Sequence, residues 1–417
     1  MYYIYEISFV NINMHLNLLA FAVPLFTGLM LLEYYLSRKK EKALFHFNEA
    51  VANLNVGIAE RLSDLFTAGL FYFFFAWINR HWALFVIRPG LFTWILLFLF
   101  TDLLWYWYHR LGHEVNILWS AHVVHHQSED FNYTVSARIT FFQAAARCLF
   151  WAILPLIGFP APMITIFLLI HGTYPFFTHT QLIGRLGWLE YFLVTPSHHR
   201  VHHSSNPAYL DKNYGDVLII WDKLFGTFAK EEEEPVYGLT KPLDSYSFLW
   251  QHFHFMLEMG VAFRRAKGFR KKGAVLFGKP DLIDGRIRPV LERKLSFRQT
   301  ERAYTLPLLN YIKLQTFITL ILLFSLILFE HYLTGAQTFI LSLFILASVI
   351  TTGAMLEQRK WLLYLELVRF GLLESLLWFS FSDTRLEIAL IAIAVAVLTF
   401  YRTIGKGYYS YLYDVAY

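Results

Sequence analysis

Histidine is concentrated in three short clusters that together occupy less than a quarter of the chain. Of the 17 histidines in 417 residues, eleven lie between His109 and His203. The first cluster has the spacing HxxxH, the second has HxxHH, and the third contains another HxxHH that begins at His199. On a helix, residues three and four positions apart share a face, so each cluster would direct two or three imidazoles to one point. The members are His109 and His113; His122, His125 and His126; and His198, His199, His202 and His203.

Imidazole groups arranged in this way are suited to binding metal ions. Neutral imidazole is a good ligand for iron, zinc, copper and nickel. The histidines of the three motifs are too many for one four-coordinate ion, and they suit two ions that each keep an open position. The zinc-protease motif HExxH is excluded, because Glu114 follows His113 but no histidine stands at the required spacing. Cys148 is the only cysteine, so a cysteine-based metal site and an intrachain disulfide are excluded as well.

The composition indicates the scaffold that must position these histidines. Hydrophobic residues make up 56% of the chain and charged residues 16%, whereas a soluble domain carries about 25% charged residues. We therefore predict an all-α fold, a polytopic membrane bundle of about nine transmembrane helices with a histidine-rich cap. Disordered, collagen-like and disulfide-framework classes are excluded. The predicted spans are roughly 16–36, 65–78, 91–108, 141–158, 163–177, 311–329, 339–355, 361–381 and 388–401.

Lysine and arginine residues indicate the orientation in the membrane. Arg38, Lys39, Lys40 and Lys42 follow the first predicted span, and loops rich in these residues face the cytoplasm. If the chain crosses the membrane at each predicted span from that point on, the N-terminus lies outside and the histidine clusters lie in the cytoplasm. No cleavable signal peptide is expected. We expect a catalytic domain over residues 1–310, followed by C-terminal transmembrane helices over residues 311–417 that are not an independent domain.

The residues around the histidines resemble a known group of enzymes. Trp107-Tyr108-His109-Arg110, the run from His125 to Asn132 and the run from Thr195 to His203 resemble the fatty acid hydroxylase / sterol desaturase superfamily of integral-membrane di-iron enzymes. Within it, these runs together with Asp211–Gly215 and Trp221–Phe228 are similar to the alkylglycerol monooxygenase family. The four C-terminal spans favour that family, because the shorter sterol desaturases and fatty acid hydroxylases end soon after the third histidine cluster.

The resemblance implies a reaction, its cofactors and further site residues. Such an enzyme uses O2 as co-substrate to hydroxylate the ether carbon of alkylglycerols or lyso-ether lipids, and the hemiacetal collapses to a fatty aldehyde and a glycerol derivative. Two iron ions and tetrahydrobiopterin are the implied cofactors. His179 corresponds to an isolated ligand, and Glu114 to a carboxylate near the metals. The expected metal ligands are His109, His113, His122, His125, His126, His179, His199, His202 and His203, with the choice between His198 and His199 left open.

Two polar residues within the predicted spans are candidates for supporting roles. Asp102 lies seven residues before His109 on the same helix face, and carboxylates inside membranes are usually functional. It could orient a ligand imidazole, or it could pair with Arg110 or Arg147. His171 could line the site, and a buried, hydrogen-bonded role is at least as consistent with its position. We assign no pterin-binding residue, because most rings in a chain that is 19% aromatic must contact lipid.

Two rival interpretations stay open at this stage. Another enzyme of the superfamily could hydroxylate or desaturate a sterol, carotenoid or fatty acyl chain with electrons from a ferredoxin or cytochrome. A metal transporter or storage scaffold is disfavoured, because ionisable residues concentrate at one membrane edge and the C-terminal spans look almost purely apolar. The basic stretch Phe263–Lys272 predicts adsorption to anionic lipid rather than to nucleic acid. A bacterial inner membrane and an endoplasmic reticulum both fit, and the oligomeric state is open.

Overall fold

The computed structural model describes residues 16–295 and 303–413, and this part of the chain is built from helices. Its only β-type pairings are two isolated bridges, so the predicted all-α class is confirmed. The helices are α1 (Ala22–Lys39), α2 (Phe47–Trp82), α3 (Leu91–Glu114), α4 (Asn116–His122), α5 (Tyr133–Ser136), α6 (Phe141–Trp151), α7 (Ile153–Ile157), α8 (Ala161–Thr178), α9 (Pro196–His202), α10 (Ile220–Phe225), α11 (Phe248–Arg265), α12 (Phe269–Phe277), α13 (Ile287–Leu295), α14 (Leu306–Leu328), α15 (Gly335–Leu356), α16 (Leu362–Ser380) and α17 (Thr384–Tyr413).

Seven of the described helices are long and apolar enough to cross a membrane, which confirms a polytopic membrane protein. They are α1 with the turn before it, α2, α3, α8, α14, α15 and α17. The other two predicted spans are also helical. One is divided into α6 and α7. The other, α16, contains Glu366, Arg369 and Glu374, and these ionisable residues separate it from the purely apolar spans.

Helix α2 is much longer than the predicted span 65–78. Its 36 residues extend about 54 Å at 1.5 Å per residue, well beyond a hydrocarbon core of about 30 Å. Asn53, Val56 and Glu60 in its first half are buried, whereas Phe66 and Leu70 in its second half are more than half exposed. The first half therefore packs inside the protein, and the second half presents apolar side chains to lipid. Hydropathy alone detects only the second half.

The predicted hairpin between 141–158 and 163–177 is present, and a glycine closes it. Helix α7 ends at Gly158, whose φ is +129°, and α8 begins directly after Pro160. A Cβ atom at position 158 would lie 2.0 Å from the carbonyl oxygen of Phe85. Only glycine fits this close approach, so the turn depends on Gly158 as well as on the two prolines.

The described chain forms two compact units. The larger unit comprises residues 30–245 and 249–295, and the smaller comprises residues 16–29, 246–248 and 303–413. The core of the larger unit joins α2, α3, α6 and α8 through the buried side chains of Phe75, Leu97, Trp105, Trp151 and Ile164. Because α3 and α8 also carry histidines of the predicted site, this apolar core fixes the helices from which the site is built.

A buried ion pair joins the helices of the smaller unit. Arg369 donates to Glu366 at 2.7 Å and to Ser348 at 3.0 Å, and also to Gln315. Glu366 in turn accepts hydrogen bonds from the hydroxyls of Tyr311 and Tyr408. These contacts connect α14, α15, α16 and α17. The prediction that the C-terminal spans are almost purely apolar is therefore wrong for α16, where both charges are satisfied within the bundle.

The variant Arg369→Met is expected to destabilise the protein, because it leaves the Glu366 carboxylate buried without its cation. Removing one partner of a buried ion pair costs roughly 3–5 kcal/mol. The melting temperature of the purified protein in detergent should fall, and the double variant Glu366→Gln/Arg369→Met should recover part of the loss. An unchanged melting temperature for Arg369→Met would show that the pair does not stabilise the bundle.

Candidate metal centre

Four short segments bring the predicted histidines together. Helix α3 carries the HxxxH motif and ends at Glu114, and α4 follows after Val115, an extended residue that reverses the chain. The second motif occupies the end of α4 and the 3-10 turn His125–Gln127. His179 caps the end of α8. Helix α9 begins abruptly at Pro196, the first helical position, which suits the fixed φ of proline.

Nine histidines form two adjacent groups in the larger unit. The nitrogen atoms within each group lie within 4.8 Å of one another. In the first group, the Nε2 atom of His122 is 3.1 Å from Nε2 of His109 and 3.1 Å from Nε2 of His126. The first group, named cluster A, contains His109, His113, His122, His126 and His202, and the second, named cluster B, contains His125, His179, His199 and His203.

Cluster B has the same convergent geometry as cluster A. The Nε2 atom of His179 is 3.0 Å from Nε2 of His199 and 3.3 Å from Nε2 of His125. The ring centroids of His126 in cluster A and His203 in cluster B are only 4.4 Å apart. The two clusters therefore share a wall, and two ions bound in them would be neighbours.

Backbone carbonyls fix the proton on the outer nitrogen of four of these rings. His109 Nδ1 faces the Tyr214 carbonyl at 2.8 Å, and His179 Nδ1 faces the Pro175 carbonyl at 2.6 Å. His125 and His202 make the same contact with the carbonyls of Arg138 and Lys212. A carbonyl oxygen only accepts, so each Nδ1 must carry the hydrogen and each Nε2 keeps its lone pair. This orientation is the one found in histidines that bind metals through Nε2.

Burial keeps the imidazoles outside the membrane-spanning helices neutral. It lowers the pKa of His179 to about 4, and it lowers the pKa values of His122, His125, His126, His199, His202 and His203 well below the usual range. Within residues 16–295 and 303–413, the buried Nε2 atoms of His113, His202 and His203 have no hydrogen-bond partner. Neutral imidazoles with unused lone pairs that converge on one point fit a transition-metal ion in each cluster.

The structure separates His198 from its neighbour His199. His199 points into cluster B, whereas Nδ1 of His198 accepts a hydrogen bond from the backbone N–H of Thr195 at 3.3 Å. The ring of His198 packs against Phe228 instead. His198 is therefore not brought to either cluster, whereas His199 is part of cluster B.

Glu114 lies at the edge of the site and not among the imidazoles. Its carboxylate accepts a hydrogen bond from Arg110 at 3.1 Å. Arg110 also donates to the hydroxyl of Tyr106, which is hydrogen-bonded to Thr227, and Thr227 donates to Asp222. The expected carboxylate close to the metals is thus connected to the site only through this polar chain.

Asp102 supports the site in a different way from either predicted role. Its carboxylate accepts hydrogen bonds from the backbone N–H groups of Val217 and Leu218 and from the indole of Trp221. Within residues 16–295 and 303–413, no hydrogen bond or ion pair joins Asp102 to a histidine of cluster A or B or to an arginine, and the imidazole beside it is that of His171, at 3.7 Å. Asp102 instead anchors the loop that follows Tyr214, whose carbonyl orients His109.

Several positioning residues were not predicted from the sequence. Asp216 accepts a hydrogen bond from His171 at 2.5 Å, so His171 takes the buried, hydrogen-bonded role. Asp222 accepts from the backbone N–H groups of Tyr214 and Gly215, each at 2.7 Å. A Cβ atom at position 215 would lie 2.9 Å from the Asp222 carboxylate, so this approach requires glycine. Asp222 lies in the run Trp221–Phe228 that carries the family resemblance, and Asp216 directly follows the run Asp211–Gly215, but spacing gives neither residue a role.

Two buried arginines hold the backbone around cluster B. Arg138 donates to Val124, Asn53 and Gln127, while its own carbonyl faces His125. Arg200 makes a bidentate ion pair with Glu231 and donates to the carbonyls of Thr180 and Ile183, next to His179. The backbone carbonyls that accept from these arginines belong to Val124, Thr180 and Ile183, so both arginines support the backbone that presents cluster B.

Comparison with known proteins identifies the family. The family model described as Fatty acid hydroxylase matches residues 94–227, a range that contains both clusters. Alkylglycerol monooxygenase of Homo sapiens is 34% identical over 375 residues, which cover 85% of this chain and 83% of the human protein. The chain belongs to the alkylglycerol monooxygenase family.

Other relatives agree with this assignment. Alkylglycerol monooxygenase of Danio rerio is 34% identical over 86% of this chain and 82% of its own length. A shorter match, 37% identical over 127 residues, joins 30% of this chain to 38% of ornithine lipid hydroxylase OlsE of Rhizobium tropici. No solved structure matches the chain significantly. Membership in the alkylglycerol monooxygenase family confirms the predicted oxidoreductase class and the resemblance from which it was inferred.

Proposed function

We propose that this member of the alkylglycerol monooxygenase family cleaves ether lipids. It hydroxylates the ether carbon of an alkylglycerol or lyso-ether lipid, and the resulting hemiacetal releases a fatty aldehyde and the free glycerol hydroxyl. One oxygen atom of O2 enters the lipid, and the other leaves as water with two electrons and two protons from the reductant. The observation that carries this proposal is the pair of adjacent clusters, with five and four imidazoles, all of them buried except the partly exposed His113.

The residues of the two clusters would hold one iron ion each. When bound, the two ions supply the redox chemistry needed to oxidise an unactivated C–H bond with O2. The chain contributes the orientation of the imidazoles, through the carbonyl contacts of His109, His125, His179 and His202. We propose Asp102 as a positioning residue that holds the loop after Tyr214. We propose that Glu114 orients Arg110, which begins the polar chain that leads to Asp222.

The source of electrons and the orientation are part of the proposal. Tetrahydrobiopterin, which the family resemblance implies, would serve as reductant. The lysine and arginine residues after α1 support an active site that faces the cytoplasm. Residues 1–310 would supply catalysis, and residues 311–417 would serve as C-terminal helices that depend on them. The apolar, exposed side of α2 and α3 gives a lipid chain direct contact with the protein inside the bilayer.

The proposed function is tested with purified protein reconstituted with iron. An alkylglycerol and reduced tetrahydrobiopterin are added under O2, and the fatty aldehyde is measured by chromatography. Aldehyde that depends on both O2 and the pterin is expected. Product with a ferredoxin or cytochrome donor, and none with the pterin, would favour a different enzyme of the superfamily.

A lipid hydroxylase whose product does not cleave is the second candidate. The match to OlsE, which is named as an ornithine lipid hydroxylase, favours this alternative over 30% of the chain. The two candidates differ in the carbon that is oxidised. Only hydroxylation next to the ether oxygen gives an aldehyde, so a stable hydroxylated lipid in the same assay would identify the second candidate.

A further inference from the structure

Arg147 on α6 is a cation that forms no ion pair within the described residues, although the charges of Asp64 and Asp216 act on it from a distance. Over residues 16–295 and 303–413, no hydrogen bond or ion pair joins its guanidinium to another residue, and its Nε atom is buried without a partner. The guanidinium lies over the rings of Trp105 and Trp151, at 5.6 and 5.7 Å from their centroids. Stacking on two indoles offsets only part of the cost of removing a charge from water.

The nearby carboxylates are already paired with other groups. Asp64 forms an ion pair with Arg61 at 2.9 Å. Asp216 accepts a hydrogen bond from His171 at 2.5 Å. Neither carboxylate therefore neutralises Arg147 directly. Arg147 is thus a half-buried guanidinium on an apolar helix, and the two nearby carboxylates are paired with other residues. This arrangement favours an anionic ligand from outside the chain.

Trp151 supplies a second unused donor beside Arg147. Its indole Nε1 atom is buried and has no hydrogen-bond partner among the described residues, and the side chain is only 6% exposed. Positions 147 and 151 are one turn apart on the same face of α6. Indole and guanidinium groups donate hydrogen bonds and cannot accept them. The missing partner must therefore be an acceptor, and a charged oxygen acceptor matches both donors best.

The Trp105 ring beside these donors stands on the same helix as cluster A. Trp105 precedes His109 by four residues on α3, a rise of about 6 Å along the helix axis. On α6, Gln143 precedes Arg147 by four residues and lies beside His122. The side chain of Gln143 faces His122, so α6 passes beside cluster A. A rise of about 6 Å along α3 is similar to the reach of a three-carbon glycerol backbone from its ether carbon to a phosphate on the opposite end.

We propose that Arg147 and Trp151 bind the phosphate of a lyso-ether phospholipid while its ether carbon lies at cluster A. The guanidinium and the indole N–H donate to the phosphate oxygens, and the adjacent rings of Trp105 and Trp151 support the guanidinium. This inference rests on the proposed function and adds to it the class of headgroup. The site would thus select lipids that carry phosphate over neutral alkylglycerols.

Binding is measured first, because it does not depend on turnover. The purified full chain in neutral detergent is titrated with 1-O-hexadecylglycerol 3-phosphate and with 1-O-hexadecylglycerol, and bound lipid is counted by native mass spectrometry. We expect the phosphate-bearing lipid to bind at least about tenfold more tightly, the effect of one hydrogen bond to a charged group. In Arg147→Gln this preference should disappear, because the variant loses the contact with the phosphate. The affinity for hexadecylglycerol, which has no phosphate, should stay the same.

Matched variants keep the result interpretable. Arg265→Gln removes an exposed arginine at the end of α11 and should retain the preference. Trp151→Phe keeps an aromatic ring beside Arg147 but removes the indole N–H. It should weaken binding of the phosphate-bearing lipid only. It also provides the test if Arg147→Gln does not fold. An unchanged preference in both site variants, or no preference in the unmodified chain, would overturn the proposal.

Two further experiments complete the test. The first distinguishes a lipid phosphate from free phosphate, and the second separates failure of the phosphate site from failure of the proposed ether cleavage. Inorganic phosphate at the concentration of the lipid should not displace it, and displacement would assign the site to free phosphate instead. In the aldehyde assay, Arg147→Gln should raise the KM for the phosphate-bearing lipid and leave that for hexadecylglycerol unchanged. Absence of aldehyde from both lipids, with the binding preference intact, would refute ether cleavage but not the phosphate site.

Discussion

Replacing His199 with alanine is expected to abolish activity, whereas replacing its neighbour His198 should have little effect. His199 is one of four imidazoles in cluster B, and its Nε2 atom lies 3.0 Å from that of His179. Its removal leaves three ligands. Changes to residues that merely support a ligand already cost about 10–100-fold in metal affinity or activity, so loss of the ligand should cost at least about 100-fold. Aldehyde formation and metal content per chain provide the measurement.

His198→Ala is the matched control because it changes the same residue type one position earlier. His198 lies outside both clusters and bonds the backbone of Thr195. Its substitution removes a contact at the start of α9 and should retain metal content and most activity. If His198→Ala lost metal while His199→Ala retained it, the geometric assignment of cluster B would be wrong.

The second large effect is expected at Asp222, which touches no imidazole. One carboxylate oxygen accepts from the Tyr214 N–H and from Thr227, and the other accepts from the Gly215 N–H. In Asp222→Asn, the amide NH2 must face a backbone N–H in either orientation, so two donors oppose each other. The Tyr214 carbonyl that orients His109 should then shift, and metal affinity at cluster A should fall about 10–100-fold.

Metal titration of the unloaded protein measures this effect separately for the two ions. Asp222→Asn should weaken one binding event and leave the other near its original affinity, because cluster B does not contact Tyr214. Asp281→Asn, a change at an exposed carboxylate on the 3-10 turn after α12, is the control. Equal weakening of both binding events would indicate general destabilisation instead of a local effect on His109.

The sequence predicts the convergence of these histidines because their spacing is local. HxxxH and HxxHH place imidazoles on one face of a helical turn, so the histidines of clusters A and B could be identified before the structure. His179 required the family resemblance, since it stands alone after a span. The choice between His198 and His199 could not be made from spacing, because it depends on where α9 begins and on the hydrogen bond to Thr195.

The supporting residues could not be assigned because their contacts are distant in sequence. Asp102 meets the backbone of Val217 more than 100 residues away, and the Tyr214 carbonyl meets His109 over a similar separation. An apolar pattern also detects only the part of a helix that faces lipid, which explains why α2 is longer than its predicted span. Arg369 shows the converse, since its charge is satisfied by three partners that no periodicity reveals.

Metal identity and stoichiometry in the purified full chain test the central claim most directly. Elemental analysis is performed on protein produced with iron and zinc both available, and the counts are compared with those of the His199→Ala variant. The account predicts two irons per unmodified chain and fewer than two in the variant. A single ion per chain would contradict a two-iron oxygenase built on clusters A and B. Two zinc ions and no iron in catalytically active protein would contradict it as well.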